Sequence, residues 1–343
     1  MSFLKNVWYM AGWSDELVDG ALLGRTIAKE QIAFFRNSAG ELQAVSDRCP
    51  HRFIPLSAGK VIGDSVQCPY HGLQFDGTGK CTHNPHGNGA IPKAACVRSF
   101  PAVEKYMALW VWLGDPAQAD VEKVPDVSFV EQAKPSARGK GYLYSRCNYE
   151  LLADNIMDLS HVDYLHPTTL GGGALSKTPA KVEEMPGNRV KITWLTHNDA
   201  APPAFAPHLE KPAEASVWAE VVWHAPAVMV LSSGAYPAGG KREDGPHTLN
   251  FHIMTPQDEV NTHYFFANTR SFVQDDPEFN AFVQSMLLNV FTNEDKPMVE
   301  AQQRAVGDSD ILSLSPVLLT IDAGAVRCRR MLRQMIEAEK SEA

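Results

Sequence analysis

The chain has 343 residues, in which 31 Lys and Arg stand against 40 Asp and Glu, giving a formal net charge of −9 at pH 7. That length is sufficient for two domains with separate apolar cores. The acidic balance argues against nucleic-acid binding, and no apolar run reaches the roughly 18 residues that cross a membrane. Since no apolar signal segment is evident near the N-terminus, we expect a cytoplasmic protein.

The predicted elements of the first third are short strands separated by turns. Residues 32–36 and 42–45 are rich in apolar residues and flank a Gly-containing segment at 37–40, which predicts a hairpin. A second turn is predicted at 76–79, where Asp and Gly residues cluster. The aromatic and β-branched run at 108–113 predicts a further strand. We therefore expect this part of the chain to be all-β.

Two matched loops within this part carry the most specific motif of the chain. One contains Cys49-Pro50-His51, and the other contains Cys68-Pro69-Tyr70-His71-Gly72. Two thiolates can bind one iron and two imidazoles the other iron of a [2Fe–2S] cluster, which is the Rieske arrangement. Neutral imidazoles leave the cluster less negative than four thiolates would, so it accepts an electron more readily. The motif indicates a protein that transfers electrons.

A structural zinc site is the alternative, because zinc accepts the same ligand types. Zinc fingers pair Cys with Cys and His with His, whereas each loop here pairs one Cys with one His. A proline after each cysteine and a glycine after the last histidine also favour tight, specialised loops. We expect the remaining cysteines to be buried thiols without disulfides. They are Cys81, Cys96, Cys147 and Cys328.

A polar, Pro-containing stretch follows the first part, so we place a domain boundary near residue 118. The predicted domains are 1–118 and 119–343. The second domain starts with a predicted helix from residue 149 to about residue 164. Further strands are predicted at 190–194, 216–223, 228–231, 249–254 and 263–266, and helices after Pro277 and at about 323–339. This pattern predicts an α+β domain, in which helices pack on an antiparallel sheet.

The predicted helix at 149–164 carries a second set of metal-binding residues. Asn155, Asp158 and His161 follow at helical spacing and are expected to share one helix face. His166 precedes a proline, where the helix is expected to end. Two imidazoles and one carboxylate form a facial triad for Fe(II) with open positions for O2, and we choose Asp295 as the carboxylate. Spacing alone leaves Glu294, Glu300, Asp275 and Asp276 open.

The order of these motifs resembles the oxygenase components of Rieske non-heme iron oxygenases, over nearly the whole chain. It is most similar to the branch with vanillate O-demethylase, dicamba O-demethylase and toluenesulfonate methyl-monooxygenase. Residues 6–9 resemble the opening of that branch. Residues 68–76 and 84–89 are most similar to the dicamba type, 166–170 to the toluenesulfonate type, and 319–324 to the vanillate type. The resemblance implies an N-terminal Rieske domain and a helix-grip catalytic domain.

The resemblance also implies roles for these residues. Cys49, His51, Cys68 and His71 would bind the cluster, and His161, His166 and Asp295 would bind the mononuclear iron. Asp158 would bridge a cluster histidine of one subunit to an iron histidine of the next in a homotrimer. Asn155 would lie near the iron. A flavin or ferredoxin reductase would supply electrons from NADH or NADPH, because the chain has no Gly-rich loop of its own for a nucleotide.

The implied reaction consumes O2 and oxidises a small aromatic acid, with O-demethylation of a methoxybenzoate as the expected chemistry. The alternatives are methyl hydroxylation of a toluate-like or toluenesulfonate-like substrate, ring dihydroxylation, oxidation of a non-aromatic substrate, and an electron carrier without oxygenase activity. A substrate pocket is expected between the sheet and the iron helix, and His252 would hold a carboxylate there. The candidate pocket residues are Trp223, Leu231, Asn250, His252 and Phe265.

Overall fold

The computed structural model describes residues 2–171, 175–308 and 310–342. It divides into two compact units, one of which is Phe3–Val124, while the other contains the chain from Pro125 onwards. The first unit is built of strands and the second combines a large sheet with helices. This confirms the predicted order of an all-β domain followed by an α+β domain. The boundary near residue 118 stays a prediction.

Three small antiparallel sheets form the first unit. The strands are β1 (Trp8–Trp13), β2 (Leu23–Ile27), β3 (Glu30–Arg36), β4 (Leu42–Ser46), β5 (Lys60–Ile62), β6 (Ser65–Gln67), β7 (Gln74–Asp76), β8 (Cys81–His83), β9 (Ala102–Lys105) and β10 (Ala108–Trp112). The sheet orders are β1-β10-β9, β2-β3-β4 and β5-β6-β7-β8. Both predicted turns are present, between β3 and β4 and between β7 and β8. The sheets enclose a buried core that includes Phe35, Val66 and Phe75.

A seven-stranded antiparallel sheet dominates the second unit, in the order β11-β17-β16-β15-β14-β13-β12. Its strands are β11 (Arg138–Ser145), β12 (Lys181–Met185), β13 (Arg189–Asp199), β14 (Ala215–His224), β15 (Val228–Pro237), β16 (His247–Pro256) and β17 (Thr262–Arg270). All five strands predicted for this region are confirmed. The chain also forms β11, which sequence reasoning missed, immediately before the helix at residue 149.

The helices of the second unit pack on one face of this sheet. They are α1 (Phe129–Gln132), α2 (Tyr149–Met157), α3 (Val162–Leu165), α4 (Pro277–Val290), α5 (Lys296–Val306) and α6 (Ala323–Glu342). Directly opposed residues of neighbouring strands share a face, so the register defines this surface. Tyr264, Phe266 and Asn268 of β17 lie opposite Met254, His252 and Asn250 of β16. We call this the helix-covered face; Phe266 packs there against Phe291, which follows α4.

The prediction of one continuous helix from 149 to 164 is wrong, because the helix is interrupted in its middle. Helix α2 ends at Met157, Asp158 is extended (φ −122°, ψ 93°), and a 3₁₀ turn at Leu159–His161 leads into α3. The Asp158 carboxylate accepts a hydrogen bond from the Ser160 N–H at 2.9 Å, so it caps a new turn and stops the old helix. The helix does end before His166, as predicted.

Among the described residues, no helix has both the length and the apolar character needed to cross a membrane.

Candidate functional site

The two cysteine loops of the first unit have the same backbone design. In each, the N–H four residues after the cysteine donates to the cysteine carbonyl, from Phe53 at 2.8 Å and from Gly72 at 3.1 Å. Each cysteine N–H donates in turn to the carbonyl five residues later. Phe53 and Gly72 both adopt positive φ, +60° and +73°, which is costly for Phe53 and easy for glycine. Two superimposable turns therefore present one Cys and one His each.

The side chains of these loops are divided between core and surface. Cys49 and Cys68 are buried within the apolar core, whereas His51 and His71 lie at the outer side with ring centroids 4.5 Å apart. Burial raises the pKa of the Cys49 thiol, so without a bound cation Cys49 would stay protonated. Paired buried thiols and paired outward imidazoles fit a [2Fe–2S] cluster with a thiolate iron and an imidazole iron.

Three predicted residues of the second unit converge on one point. The Asp295 carboxylate lies 3.5 Å from His161 Nε2 and 3.1 Å from His166 Nε2. One donor atom from each of the three lies within 4.8 Å of the others, which is a geometry that can hold a metal ion. Two imidazoles and a carboxylate suit Fe(II) with open coordination positions. The donor set therefore fits the expected mononuclear iron.

The side chains around the converging point shift the pKa values of Asp295 and His166. Burial would raise the pKa of the Asp295 carboxyl, but hydrogen bonds and the charges of His161 and His166 lower it to about 2. Burial would lower the pKa of His166, yet Asp295 and Glu294 raise it. The carboxylate is therefore ionised throughout the physiological range, as a metal ligand must be.

The Nδ1 atoms of His161 and His166, on the side of each ring away from Asp295, also have hydrogen-bond partners. His161 Nδ1 lies 2.5 Å from the backbone carbonyl oxygen of Asp158, and His166 Nδ1 lies 2.6 Å from Glu294 Oε2. With a metal ion bound, an N–H at each Nδ1 would leave the lone pair at each Nε2 for the metal. Sequence reasoning left Glu294 open as a ligand, and the structure places it on the far side of His166 from the converging atoms.

A π-helical turn positions the two acidic residues. Phe291–Asp295 continues α4 with i→i+5 hydrogen bonds and leads into α5. Such turns insert an extra residue into a helix and occur often at functional sites. Sequence reasoning predicted a helix here but not this turn, because nothing in its composition distinguishes it from an α-helix.

Asn155 lies beside the converging ligands. Its Nδ2 donates to Asp295 Oδ1 at 3.2 Å and lies 3.4 Å from His161 Nε2. Asp158 lies at the helix break, where its backbone holds His161. The structure thus places Asn155 beside Asp295 and His161, and the expected functions of Asn155 and Asp158 stay predictions.

Four of the five candidate pocket residues lie on the helix-covered face. His252 lies opposite Met229, which in turn lies opposite Trp223, and Asn250 lies opposite Leu231. His252 is buried, and its Nδ1 lies 2.7 Å from the Tyr264 hydroxyl. Its Nε2 has no hydrogen-bond partner among the described residues. Burial lowers the pKa of His252 to about 4, so the ring is neutral.

Phe265 does not belong to this set. It lies opposite Ile253 and Tyr142, and its ring packs 5.1 Å from that of Tyr142, on the other face of the sheet. Side chains alternate along a strand, so its neighbour Tyr264 takes the place expected for it. Tyr264 lines a small cavity together with Met254 and Asp295. Sequence reasoning missed Tyr264 because cross-strand register is not visible in one strand.

Two family descriptions cover most of the chain. Residues 7–101 match "Rieske [2Fe-2S] domain", and residues 145–338 match "Vanillate O-demethylase oxygenase C-terminal domain". With the paired Cys/His loops and the His/His/Asp site, these matches define a Rieske non-heme iron oxygenase component. The chain belongs to this family, in the branch of the vanillate and dicamba O-demethylases. It therefore uses a [2Fe–2S] cluster and mononuclear iron, which excludes both the zinc-site alternative and the electron carrier.

Individual relatives are similar over nearly their whole length. The chain is 38% identical to the oxygenase component of chloroacetanilide N-alkylformylase from Rhizorhabdus wittichii (strain DC-6 / KACC 16600), covering 98% of this chain and 97% of that protein. It is also 38% identical to the oxygenase component of dicamba O-demethylase from Stenotrophomonas maltophilia, covering 99% of both. Dicamba monooxygenase bound to 3,6-dichlorosalicylic acid is 36% identical, with a TM-score of 0.89 and 99% of both chains covered.

Proposed function

We propose that this oxygenase component catalyses the oxidative O-demethylation of a small methoxylated aromatic acid, with a methoxybenzoate as the model substrate. The observation that carries the proposal is the buried, unpartnered Nε2 of His252, on the sheet face that carries Tyr264 and Met254 beside Asp295. If the Tyr264 hydroxyl donates to Nδ1, then Nε2 carries the proton and can donate to a substrate oxygen. An acceptor-bearing substrate supplies the missing hydrogen bond.

The surroundings of His252 favour an aromatic ring. Trp223 and Met229 are buried, Leu231 lies partly buried two residues along β15, and Phe291 lies across from the imidazole with ring centroids 5.8 Å apart. The Asn250 side-chain oxygen accepts a hydrogen bond from Asn268 at 2.5 Å. Since apolar walls with few polar groups are typical of small-molecule sites, the pocket selects a flat apolar body with one polar anchor.

The proposed iron ligands are His161, His166 and Asp295. When bound there, the iron supplies the site at which O2 is reduced during substrate oxidation. The chain contributes orientation: the Asp158 carbonyl and Glu294 fix the two imidazoles, and His252 anchors the substrate so that its methyl group points to the metal. The net reaction converts a methoxyarene, O2, two electrons and two protons into a phenol, formaldehyde and water.

The proposed electron route begins at a separate reductase, which takes electrons from NADH or NADPH and passes them singly to the cluster bound by Cys49, His51, Cys68 and His71. We propose a homotrimer in which the Asp158 carboxylate bridges the cluster of one subunit to the iron of the next. Tyr164 supports a covered surface here, since it follows Asp158 by six residues and is 82% exposed in the single chain. The cytoplasmic location also stays a prediction.

The test is a reconstituted assay with the purified oxygenase, a flavin or ferredoxin reductase and NADH. A panel would pair each methoxybenzoate with the matching toluate and the matching methoxybenzene without a carboxylate. Formaldehyde and phenol in equal amounts, formed from the methoxybenzoates and not from the neutral ethers, are expected. Benzylic alcohols from the toluates would instead support methyl hydroxylation. Products from the neutral ethers alone would contradict the aromatic-acid proposal.

A further inference from the structure

Consecutive residues of the π-helical turn contact the same imidazole ring from two sides. Glu294 Oε2 lies 2.6 Å from His166 Nδ1, while Asp295 Oδ1 lies 3.1 Å from His166 Nε2. The His166 side chain is 1% exposed, so the ring has no room to rotate. The longer Glu side chain reaches the outer nitrogen and the shorter Asp side chain reaches the inner one. Both carboxylates together fix which nitrogen points to the metal.

The two histidines are held by unequal partners. His161 Nδ1 has a neutral backbone carbonyl, whereas His166 Nδ1 has a carboxylate. A hydrogen bond to an ionised acceptor is roughly twice as strong as one between neutral groups. A carboxylate at Nδ1 also raises the basicity of the ring and hence its strength as a ligand. His166 is therefore expected to be the more tightly held of the two imidazoles.

The same carboxylate fixes the loop that follows His166. Thr169 Oγ1 donates to Glu294 Oε2 at 3.2 Å, and the N–H groups of Thr169 and Gly171 donate to the His166 carbonyl at 3.2 and 2.8 Å. A Cβ at Gly171 would lie 2.7 Å from the Val162 carbonyl oxygen, so only glycine permits this close return. One oxygen of Glu294 thus joins the π-helical turn, the imidazole and the loop.

We propose that Glu294 is a positioning residue for the iron site: it selects the His166 tautomer and thereby sets the affinity for Fe(II). The inference rests on the proposed ligand set but not on the proposed substrate. It is independent of turnover, because metal binding can be measured without O2, reductase or an aromatic acid.

The experiment measures Fe(II) binding by the otherwise intact full-length protein. A chelator removes the mononuclear iron anaerobically, the Rieske EPR signal confirms that the cluster and fold remain, and Fe(II) is then titrated back. Glu294→Gln keeps the shape but removes the charge, and we expect its dissociation constant to rise about 10–100-fold. Thr169→Val, which removes only the second hydrogen bond to Glu294, should cause a smaller rise.

Glu300→Gln is the matched control. Glu300 lies six residues after Glu294, within α5, and accepts a hydrogen bond from the Arg146 backbone N–H at 2.9 Å. The Glu300→Gln substitution should leave the affinity for Fe(II) unaltered. The EPR spectrum of the ferrous nitrosyl adduct adds a second measurement, since a loosened His166 should broaden it in Glu294→Gln and not in Glu300→Gln.

The outcomes distinguish a failure of the role proposed for Glu294 from a failure of the proposed ligand set. His166→Ala must lose Fe(II) binding; if it does not, the ligand set is wrong and the inference falls with it. If His166→Ala loses iron while Glu294→Gln binds within twofold of the unaltered protein, only the role of Glu294 is refuted. An equal loss in Glu300→Gln would also refute it, because the effect would then be a general weakening of this helix.

Discussion

Arg329 of α6 holds Asp154 of α2 through its Nε and Nη2 atoms, with the shortest contact at 2.7 Å. The guanidinium is 5% exposed and also contacts Glu150 at 2.8 Å. Asp154 directly precedes Asn155, which lies beside the iron site. The last long helix of the chain therefore fixes the helix that leads into the metal ligands.

Arg329→Met should destabilise the protein by about 3–5 kcal/mol, because it leaves the partly buried carboxylates of Glu150 and Asp154 without their buried cation. For a unit of this size the unfolding midpoint should fall by roughly 6–20 °C, measured by circular dichroism. Arg327→Met is the control, since its 46% exposed side chain pairs with Glu184 at 3.5 Å on the surface. That pair should contribute about 0–1 kcal/mol. Equal shifts in both variants would contradict the prediction.

Asp158→Ala should abolish coupled turnover and leave both metal centres bound. The structure gives the reason: His161 is held by the Asp158 backbone carbonyl, which survives the substitution, while the carboxylate caps the turn at Ser160. Iron content and the Rieske EPR signal should match the unaltered protein, whereas product formation should fall below detection. Ser160→Gly serves as the control, because it keeps the carboxylate. Normal turnover of Asp158→Ala would remove the bridging role.

His252→Gln should raise KM for an aromatic acid about 10-fold or more, since one hydrogen bond to a charged group contributes about 1.5–3 kcal/mol. His263→Gln is a closely matched control. That ring also contacts a tyrosine hydroxyl, from Tyr142 at 2.9 Å, but it lies on the opposite sheet face. KM for the aromatic acid should change little in His263→Gln. If the two variants gave the same kinetic constants, the pocket would not include His252.

His252 should also make stability depend on pH. Burial lowers the pKa of His252 to about 4, below its ordinary value of 6.5, and the nearby Asp295 opposes this only in part. Between these values the unfolded chain binds more protons than the folded one, so stability is complete above pH 6.5 and is lost as pH falls towards 4. Between pH 7 and 5 the loss is about 2 kcal/mol.

Thermal unfolding of His252→Gln and the unaltered protein at both pH values measures this contribution. His224, whose pKa burial also lowers to about 4, contributes equally to both proteins and cancels in the comparison. A pH dependence that is the same in the two proteins would show that His252 does not titrate as stated.

The candidate metal-binding residues could be selected from the sequence because ligand type and spacing are local properties. Cys49, His51, Cys68 and His71 come together through two short turns, and His161 and His166 through one broken helix. Asp295 was chosen among several acidic residues that spacing alone left open, and the fold brings its carboxylate to the two imidazoles. Glu294 could be named as an acid nearby, but only the π-helical turn shows that it contacts the outer nitrogen of His166.

The missed elements have physical causes as well. Strand β11 contains Gly139 and Gly141, which lower strand propensity, and a Cβ at Gly141 would lie 2.1 Å from the Phe266 ring. Gly141 leaves the space that the Phe266 ring occupies. The sequence of one strand does not reveal which residue of the neighbouring strand lies there. Phe265 was placed on the wrong face for the same reason. Its register against β16 depends on the turn closed by Gln257 and Asn261.

The π-helical turn at Phe291–Asp295 also makes the position of the Asp295 carboxylate sensitive to the deletion of one amino acid. A regular helix advances 100° per residue. Deleting a single codon within the turn would let the helix wind evenly and rotate Asp295 by about 100° relative to α4, away from the imidazoles. A folded, red-brown protein that still accepts electrons but no longer oxidises anything is therefore one deletion away from the enzyme.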